Sequence, residues 1–379
     1  MAEEKWAMVW RQAMTRAFAD GKVSGHNKTV AFSFGAPVAG SHVRLCLSNR
    51  LGEKPVRIAA INLMVGEHAL PVKCGGRRSF AIPAGSTCHT DACKVSVVRG
   101  ERLELRMYYL DDVLDCNMIE DGATLLRGSH VADVGRLPLR KPLLARLLGA
   151  ANPLPAIEAV EVLTEEPAQA IVAFGDSITA MSKWTKPLAQ RLAEAYPGEY
   201  VLLNAGISGN CLLYKVEGAM GQVFGEPGVE RFAHDVLDVP NLHTVIFGLG
   251  VNDVSYLSEK TSDQISLAAY QQAVSDIADQ LHERGVRMAM QTITPRLGVA
   301  RTMGKYMPPM EELRLQLNDW IRGNATLFDY VFDAEAVVRD QREDGWYFRE
   351  GIHMGDHLHP NDAGGQLLAD AWDLRGLVG

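Results

Sequence analysis

Five short apolar segments in the second half of this chain alternate with segments of helical periodicity, and that alternation restricts the fold more than any other feature. Segments 171–174, 200–204, 244–248, 287–293 and 330–333 read as buried strands. Segments 185–195, 267–284, 310–322 and 363–372 carry apolar residues three and four positions apart, the spacing of a helix with one buried face. Strands joined through helices run parallel, so this half is expected to form a parallel sheet covered by helices on both faces. The carboxyl ends of such strands share one edge, where open α/β sheets hold their ligands.

The first half has a different texture. Segments 29–34, 43–48, 56–61, 94–98 and 103–108 are short, rich in β-formers and punctuated by Gly, Pro and Asn, which predicts an antiparallel β-sandwich or jelly roll. Ahead of them Trp6, Val9, Trp10, Ala13, Met14, Ala17 and Phe18 fall at helical spacing and predict a short packing helix. Between 137 and 167 the prolines Pro138, Pro142, Pro153, Pro155 and Pro167 predict a connection. A chain of 379 residues exceeds one ordinary core. The expected organisation is a β-sandwich-like domain with its amino-terminal helix and linker over 1–165, then an α/β domain over 166–379.

Charge narrows the partners. Lys and Arg total 38 against 46 Asp and Glu, a net charge of -8, and the two signs are interspersed. Nucleic acid needs a concentrated basic surface, so it is not the expected partner. The basic residues between 136 and 146 alternate with Leu and Pro and read as part of the connection. No apolar run approaches the roughly 18 residues of a membrane span. Glu3 and Glu4 precede Trp6 with no apolar stretch before a small-residue cleavage site, so no signal peptide is read here, although a removed one would leave no trace. The cysteines Cys46, Cys74, Cys88, Cys93, Cys116 and Cys211 are few and unevenly spread, which fits reduced thiols in a cytoplasmic protein. The sequence leaves oligomeric state open.

Four blocks carry chemistry: Gly175-Asp176-Ser177, the loop from Asn204 through Gly206 and Gly209 to Asn210, Gly248 through Gly250 to Asn252-Asp253, and Asp356-His357-Leu358-His359-Pro360-Asn361. The first three follow strands and the last precedes the final helix, so all four gather on one sheet edge. A serine hydroxyl needs a base to take its proton during attack, and His359 is the candidate. Asp356, three residues earlier, can fix the imidazole tautomer and stabilise the imidazolium. The tetrahedral intermediate also needs donors for its oxyanion, and the backbone N–H groups of Ser177 and Gly209 with the Asn252 amide can supply them. Glycine at 209 permits close backbone approach, and a helix starting after Ser177 would add its positive dipole end. Asp176 and Asp253 read as supports of their turns.

Each block alone has an ordinary reading as a turn, an Asx-turn, a glycine-rich loop or a helix cap; their joint order does not. In that order Ser177, Gly209, Asn252 and His359, with Asp356 beside the histidine, the chain resembles the GDSL or SGNH hydrolases over about 171–372, with Ile178 where Leu is usual. The resemblance implies a flavodoxin-like three-layer domain and ester hydrolysis through an acyl-serine, with no cofactor and no metal. Segment 43–52 is similar to the β-sandwich that precedes this domain in some members, and some two-domain relatives act on acylated carbohydrates. The expected substrate is therefore a small-molecule or oligosaccharide ester, foremost a short-chain acetyl ester of a carbohydrate.

Alternatives are a lipase- or lysophospholipase-like action on longer acyl chains, a non-catalytic carbohydrate-binding protein, or a metal-dependent hydrolase. The metal reading would use His353, Asp356, His357 and His359, or a smaller loop of Cys88, His89, Asp91 and Cys93. Gly248-Leu249-Gly250 lacks the third glycine of a dinucleotide fingerprint. The segment from Met303 to Met310 reads equally as pocket lining or packing, and Lys183 and Trp184 read as core or rim.

Overall fold

A computed structural model describes residues 5–16, 28–66, 68–111, 113, 115–119, 123–126, 152–255, 266–302 and 308–379. The chain forms two compact units: Met1–Ala168 with Pro197–Leu203 and Glu217–Gly225, and Gln169–Tyr196 with Asn204–Val216 and Glu226–Gly379.

Five parallel strands are formed by Gln169–Gly175, Tyr200–Gly206, Leu242–Gly248, Arg287–Gln291 and Tyr330–Phe332. Numbered along the chain, their spatial order is 2-1-3-4-5, the flavodoxin-like arrangement with its switch point beside the first strand. All but the first residue of Gln169–Gly175 are buried, as a strand covered on both faces requires. Its register with the third strand sets Phe174 beside Phe247 and Gly175 beside Gly248, so the two chains leave the sheet at one level. Helices Thr185–Ala195, Leu267–His282, Pro308–Gly323 and Asp362–Ala371 match the periodic segments. Two starts are chemically marked: Ser266 accepts from the N–H of Ala269, and Asn361 from that of Gly364.

An aromatic stack joins the end of helix Asp362–Ala371 to the sheet. Trp372 lies 4.1 Å from Phe332 between ring centroids and 6.1 Å from Trp184, and both tryptophans are buried. Near the fourth strand, buried Arg314 pairs with Glu335 and donates to the Ile293 carbonyl at 3.0 Å, while Asn318 donates to both Ile293 and Glu335. Shorter elements were not legible from periodicity. These include Gly228–Phe232 with its π-turn Ala233–Leu237, the hairpin Arg339–Arg342 and Gly345–Phe348, and Leu374–Val378.

The amino-terminal region consists mostly of antiparallel sheets, consistent with a β-sandwich. In one sheet Ile157–Thr164 lies between Lys5–Arg11 and Gly40–Asn49, and the latter also pairs with Ser86–His89 and Cys93–Val97. In a second, Lys28–Gly35, Arg102–Tyr109 and Val56–Val65 are adjacent.

Two expectations fail here. The helix expected from Trp6 is a strand, Lys5–Arg11, with Ala7, Val9 and Arg11 buried in alternation. Val9 satisfies a spacing of two as well as three. Pairing with Ile157–Thr164 and the buried ion pair Arg11–Glu158, at 3.0 Å, select the extended form. Ala17 and Phe18 lie outside the described residues. Nor is 137–167 simply a connection, because Ile157–Thr164 is an inner strand. Pro153 and Pro155 occupy Asn152–Pro155, at the edge of a small three-stranded sheet, where a missing N–H is tolerated. Pro138 and Pro142 lie outside the described residues. Among the described residues no helix is long and apolar enough to cross a membrane.

Trp372→Ala removes the centre of the aromatic stack and is expected to destabilise the protein by about 3–5 kcal/mol. Urea unfolding followed by tryptophan fluorescence and circular dichroism measures this; an unchanged midpoint would contradict the packing described.

Candidate active site

The first strand ends at Gly175, where a Cβ would meet Thr179 Oγ1 at 2.2 Å, so the exit turn closes only around glycine. Asp176 then caps a single helical turn, Ser177–Ala180: its Oδ1 accepts from the Ile178 N–H at 3.0 Å, and its carbonyl accepts from Thr179 and Ala180. The helix expected after Ser177 is therefore four residues long, and any dipole it offers is that of one turn. Asn204 holds this turn from the second strand, donating to Thr179 O at 2.8 Å and accepting from Gly206 N–H at 2.9 Å.

Ser177 Oγ lies 2.8 Å from His359 Nε2, and His359 Nδ1 lies 2.5 Å from Asp356 Oδ2. The other Asp356 oxygen accepts the N–H groups of Leu358 and His359, each at 3.0 Å. An ionised carboxylate only accepts, so the imidazole proton sits on Nδ1 and Nε2 is free to accept from the serine. Burial alone would raise the Asp356 carboxyl, but the His359 ring and the two N–H groups outweigh it and hold the group well below the ordinary aspartate range. The segment is braced by the Met354 N–H on His359 O at 2.8 Å and by the Asn361 amide on the carbonyls of Gly351 and His353.

Glu350, His353 and His357 form the one group of three potential metal ligands among the described residues. Of the four residues in the sequence-based metal reading, His359 instead meets Ser177 and Asp356 binds the other nitrogen of His359. A ligating histidine donates its second ring N–H to an acceptor. His353 has the opposite arrangement: its Nδ1 accepts from the N–H groups of Gly355 and His357 at 3.0 and 3.2 Å, so Nε2 carries the proton and donates to Glu350 Oε2 at 3.0 Å. The donor set does not fit a metal. In the Cys88–Cys93 loop, Asp91 spends its carboxylate on the N–H groups of Gly75 and Gly76 at 2.9 and 2.7 Å.

Gly209 has φ 76°, a left-handed conformation that favours glycine. The Asn252 Nδ2 donates one hydrogen to Asn210 O at 3.0 Å, which ties the third block to the second. Asp253 reinforces the tie, accepting from the N–H groups of Leu212 and Leu213. Burial raises its carboxyl to about 6 despite these bonds.

No motif flagged Arg231. It is buried on the short helix Gly228–Phe232, and its guanidinium reaches Gly175 O at 2.9 Å, Ala205 O at 2.8 Å, Asn210 Oδ1 at 2.9 Å and Asp235 Oδ2 at 2.8 Å. Trp184 packs in the core, and Lys183 pairs with Asp362 at 2.8 Å. Residues 303–307 lie outside the described residues.

A model of the GDSL-like lipase/acylhydrolase family matches residues 173–367. Solved structures similar to this chain include an acetyl xylan esterase from Geobacillus stearothermophilus, in a variant form. It is 19% identical, with a TM-score of 0.40, covering 55% of this chain and 94% of that one. A GDSL-like lipase from Bacteroides thetaiotaomicron is 14% identical with a TM-score of 0.38, covering 54% and 85%. TesA is 21% identical with a TM-score of 0.37, covering 54% and 95%. No curated protein matches the chain.

Burial lifts the Asp176 carboxyl from 3.8 to about 7, against the Ile178 N–H bond and the attraction of His359, which lower it. A raised carboxyl binds its proton more tightly folded than unfolded, so its contribution to stability falls as pH rises from 3.8 through about 7. Asp176→Asn keeps the capping acceptor and removes this loss. Its melting temperature relative to wild type is expected to rise between about pH 4 and about pH 8; a constant difference across thermal melts would contradict the assignment.

Proposed function

Since the chain belongs to the GDSL-like lipase/acylhydrolase family and is a carboxylic ester hydrolase, we propose that Ser177 is its nucleophile, His359 its general base and Asp356 the group that orients the base. The observation that carries this reading is the unbroken hydrogen-bonded line from Ser177 Oγ through both His359 nitrogens to Asp356. Attack by Oγ on the ester carbonyl passes the serine proton to Nε2, and Asp356 stabilises the imidazolium. The oxyanion is received by the N–H groups of Ser177 and Gly209 and by the Asn252 hydrogen not given to Asn210. His359 then protonates the leaving alcohol, and water activated by the same nitrogen releases the acid.

The catalytic domain is proposed to span 166–379. The proposed substrate is a short-chain ester, foremost the acetyl ester of a carbohydrate. Two features support it: the resemblance of the amino-terminal region to the β-sandwich of two-domain carbohydrate-acting members, and the burial of Ser177, which is 6% exposed and so better reached by a small acyl group. A cytoplasmic setting is part of the proposal, supported by cysteines that are few and unevenly spread along the sequence.

With p-nitrophenyl acetate, Ser177→Ala is expected to lower kcat by about 10⁴-fold or more, and Asn252→Ala by roughly 10²–10³-fold, with or without a chelator. Wild-type turnover in Ser177→Ala would refute the serine mechanism. Across acetyl to octanoyl esters kcat/KM is expected to fall; a rise with chain length would favour the lipase-like alternative and remove the sugar-acetate assignment.

A further inference from the structure

We propose that Arg231 is a positioning residue for the oxyanion site, acting through Asn210, an inference that rests on the oxyanion assignment above. Its side chain is 1% exposed, and Asp235, at i+4 and 3% exposed, compensates its charge. A buried ion pair of this kind is seldom worth more to stability than apolar residues of the same volume, because both ions must be stripped of water. What the guanidinium does that an apolar side chain cannot is to fix several acceptors at set angles in one plane.

Those acceptors belong to the machinery. Nη2 holds the carbonyl of Gly175, the residue before Asp176 and Ser177, at 2.9 Å. That same carbonyl accepts the Ile207 N–H at 3.1 Å, so the nucleophile strand and the loop leading to Gly209 are fastened at one oxygen. Nη1 holds Ala205 O, at the end of the second strand. Nε holds Asn210 Oδ1 at 2.9 Å, and the other end of that amide donates to Glu226 O at 2.7 Å, so the Asn210 side chain is fixed at both atoms.

Asn210 stands next to both remaining oxyanion donors. The peptide N–H assigned to the oxyanion belongs to Gly209, the preceding residue, and the Asn252 amide is oriented by its bond to Asn210 O. A guanidinium locked over the Phe174 ring, 4.2 Å from its centroid, therefore sets all three donor-bearing segments relative to one another. Oxyanion donors act through preorganisation, and a displacement on the order of 1 Å can cost about 10²-fold in rate.

The test measures kcat and KM for p-nitrophenyl acetate hydrolysis, normalised to serine titrated by a fluorophosphonate, for Arg231→Lys, Asn210→Ala, Asn252→Ala and their pairs. Lysine keeps the charge but cannot hold Gly175, Ala205 and Asn210 together. Asn210→Ala cuts the guanidinium's link to the loop, together with the bond to Glu226 O, while leaving Arg231 on Gly175 and Ala205, and serves where Arg231→Lys does not fold. The expected result is a fall in kcat per titrated serine of about 10- to 100-fold, with KM within about threefold. Pairing either variant with Asn252→Ala should cost less than the product of the single losses, because the effects share one route. Wild-type kcat per titrated serine in Asn210→Ala and in folded Arg231→Lys, or losses that multiply, would overturn the inference while leaving the oxyanion assignment standing. Full activity in Asn252→Ala alone would strike that assignment, and this inference with it.

Discussion

The parallel register that sets Gly175 beside Gly248 is the constraint on which the site depends. Two neighbouring strands end at one level, and they continue into the turns that carry Ser177 and Asn252. Around Gly175 the tolerances are tight: a Cβ at Gly206 would meet Ala180 N at 2.3 Å and Asp176 O at 2.9 Å. The turn that carries Ser177 is thus shaped by backbone contact on both sides. Helix Asp362–Ala371 closes the arrangement, because Asn361 caps it while holding the carbonyls of the segment that presents His359.

Electrostatics divides by task the acids around the site, half-exposed Asp356 and buried Asp176 and Asp253. Asp356 lies beside an imidazole and two N–H groups and remains ionised far below the ordinary range. Asp176 and Asp253 are more deeply buried, with weaker compensation, and their carboxyls are pushed up to about 7 and about 6. One carboxylate is suited to face a cation formed during reaction; the other two brace turns through backbone N–H groups.

The sequence made the parallel sheet legible because its strands are mostly apolar and its helices periodic; 185–195 matches the observed helix end to end. The hydrogen-bonded line of Ser177, His359 and Asp356 was approached in the sequence only through the joint order of four blocks, each of which alone reads as an ordinary turn or cap. Lys5–Arg11 was not legible, since Trp6, Val9 and Trp10 fall at helical spacing while Ala7 and Val9 also fit an alternation of two, and the choice is made by a strand some 150 residues away in sequence. Ile157–Thr164 was hidden by the surrounding prolines. Arg231 was invisible for a related reason: its importance lies in carbonyls contributed by Gly175 and Ala205, and backbone acceptors leave no mark on a sequence.

Ser177 as nucleophile is the central claim, and covalent labelling addresses it most directly. After reaction with a fluorophosphonate, peptide mapping by mass spectrometry should place a single adduct on Ser177, with labelling abolished in Ser177→Ala and strongly slowed in a variant lacking the His359 imidazole. An adduct on another serine, or full ester turnover in enzyme that takes up no label, would contradict the account.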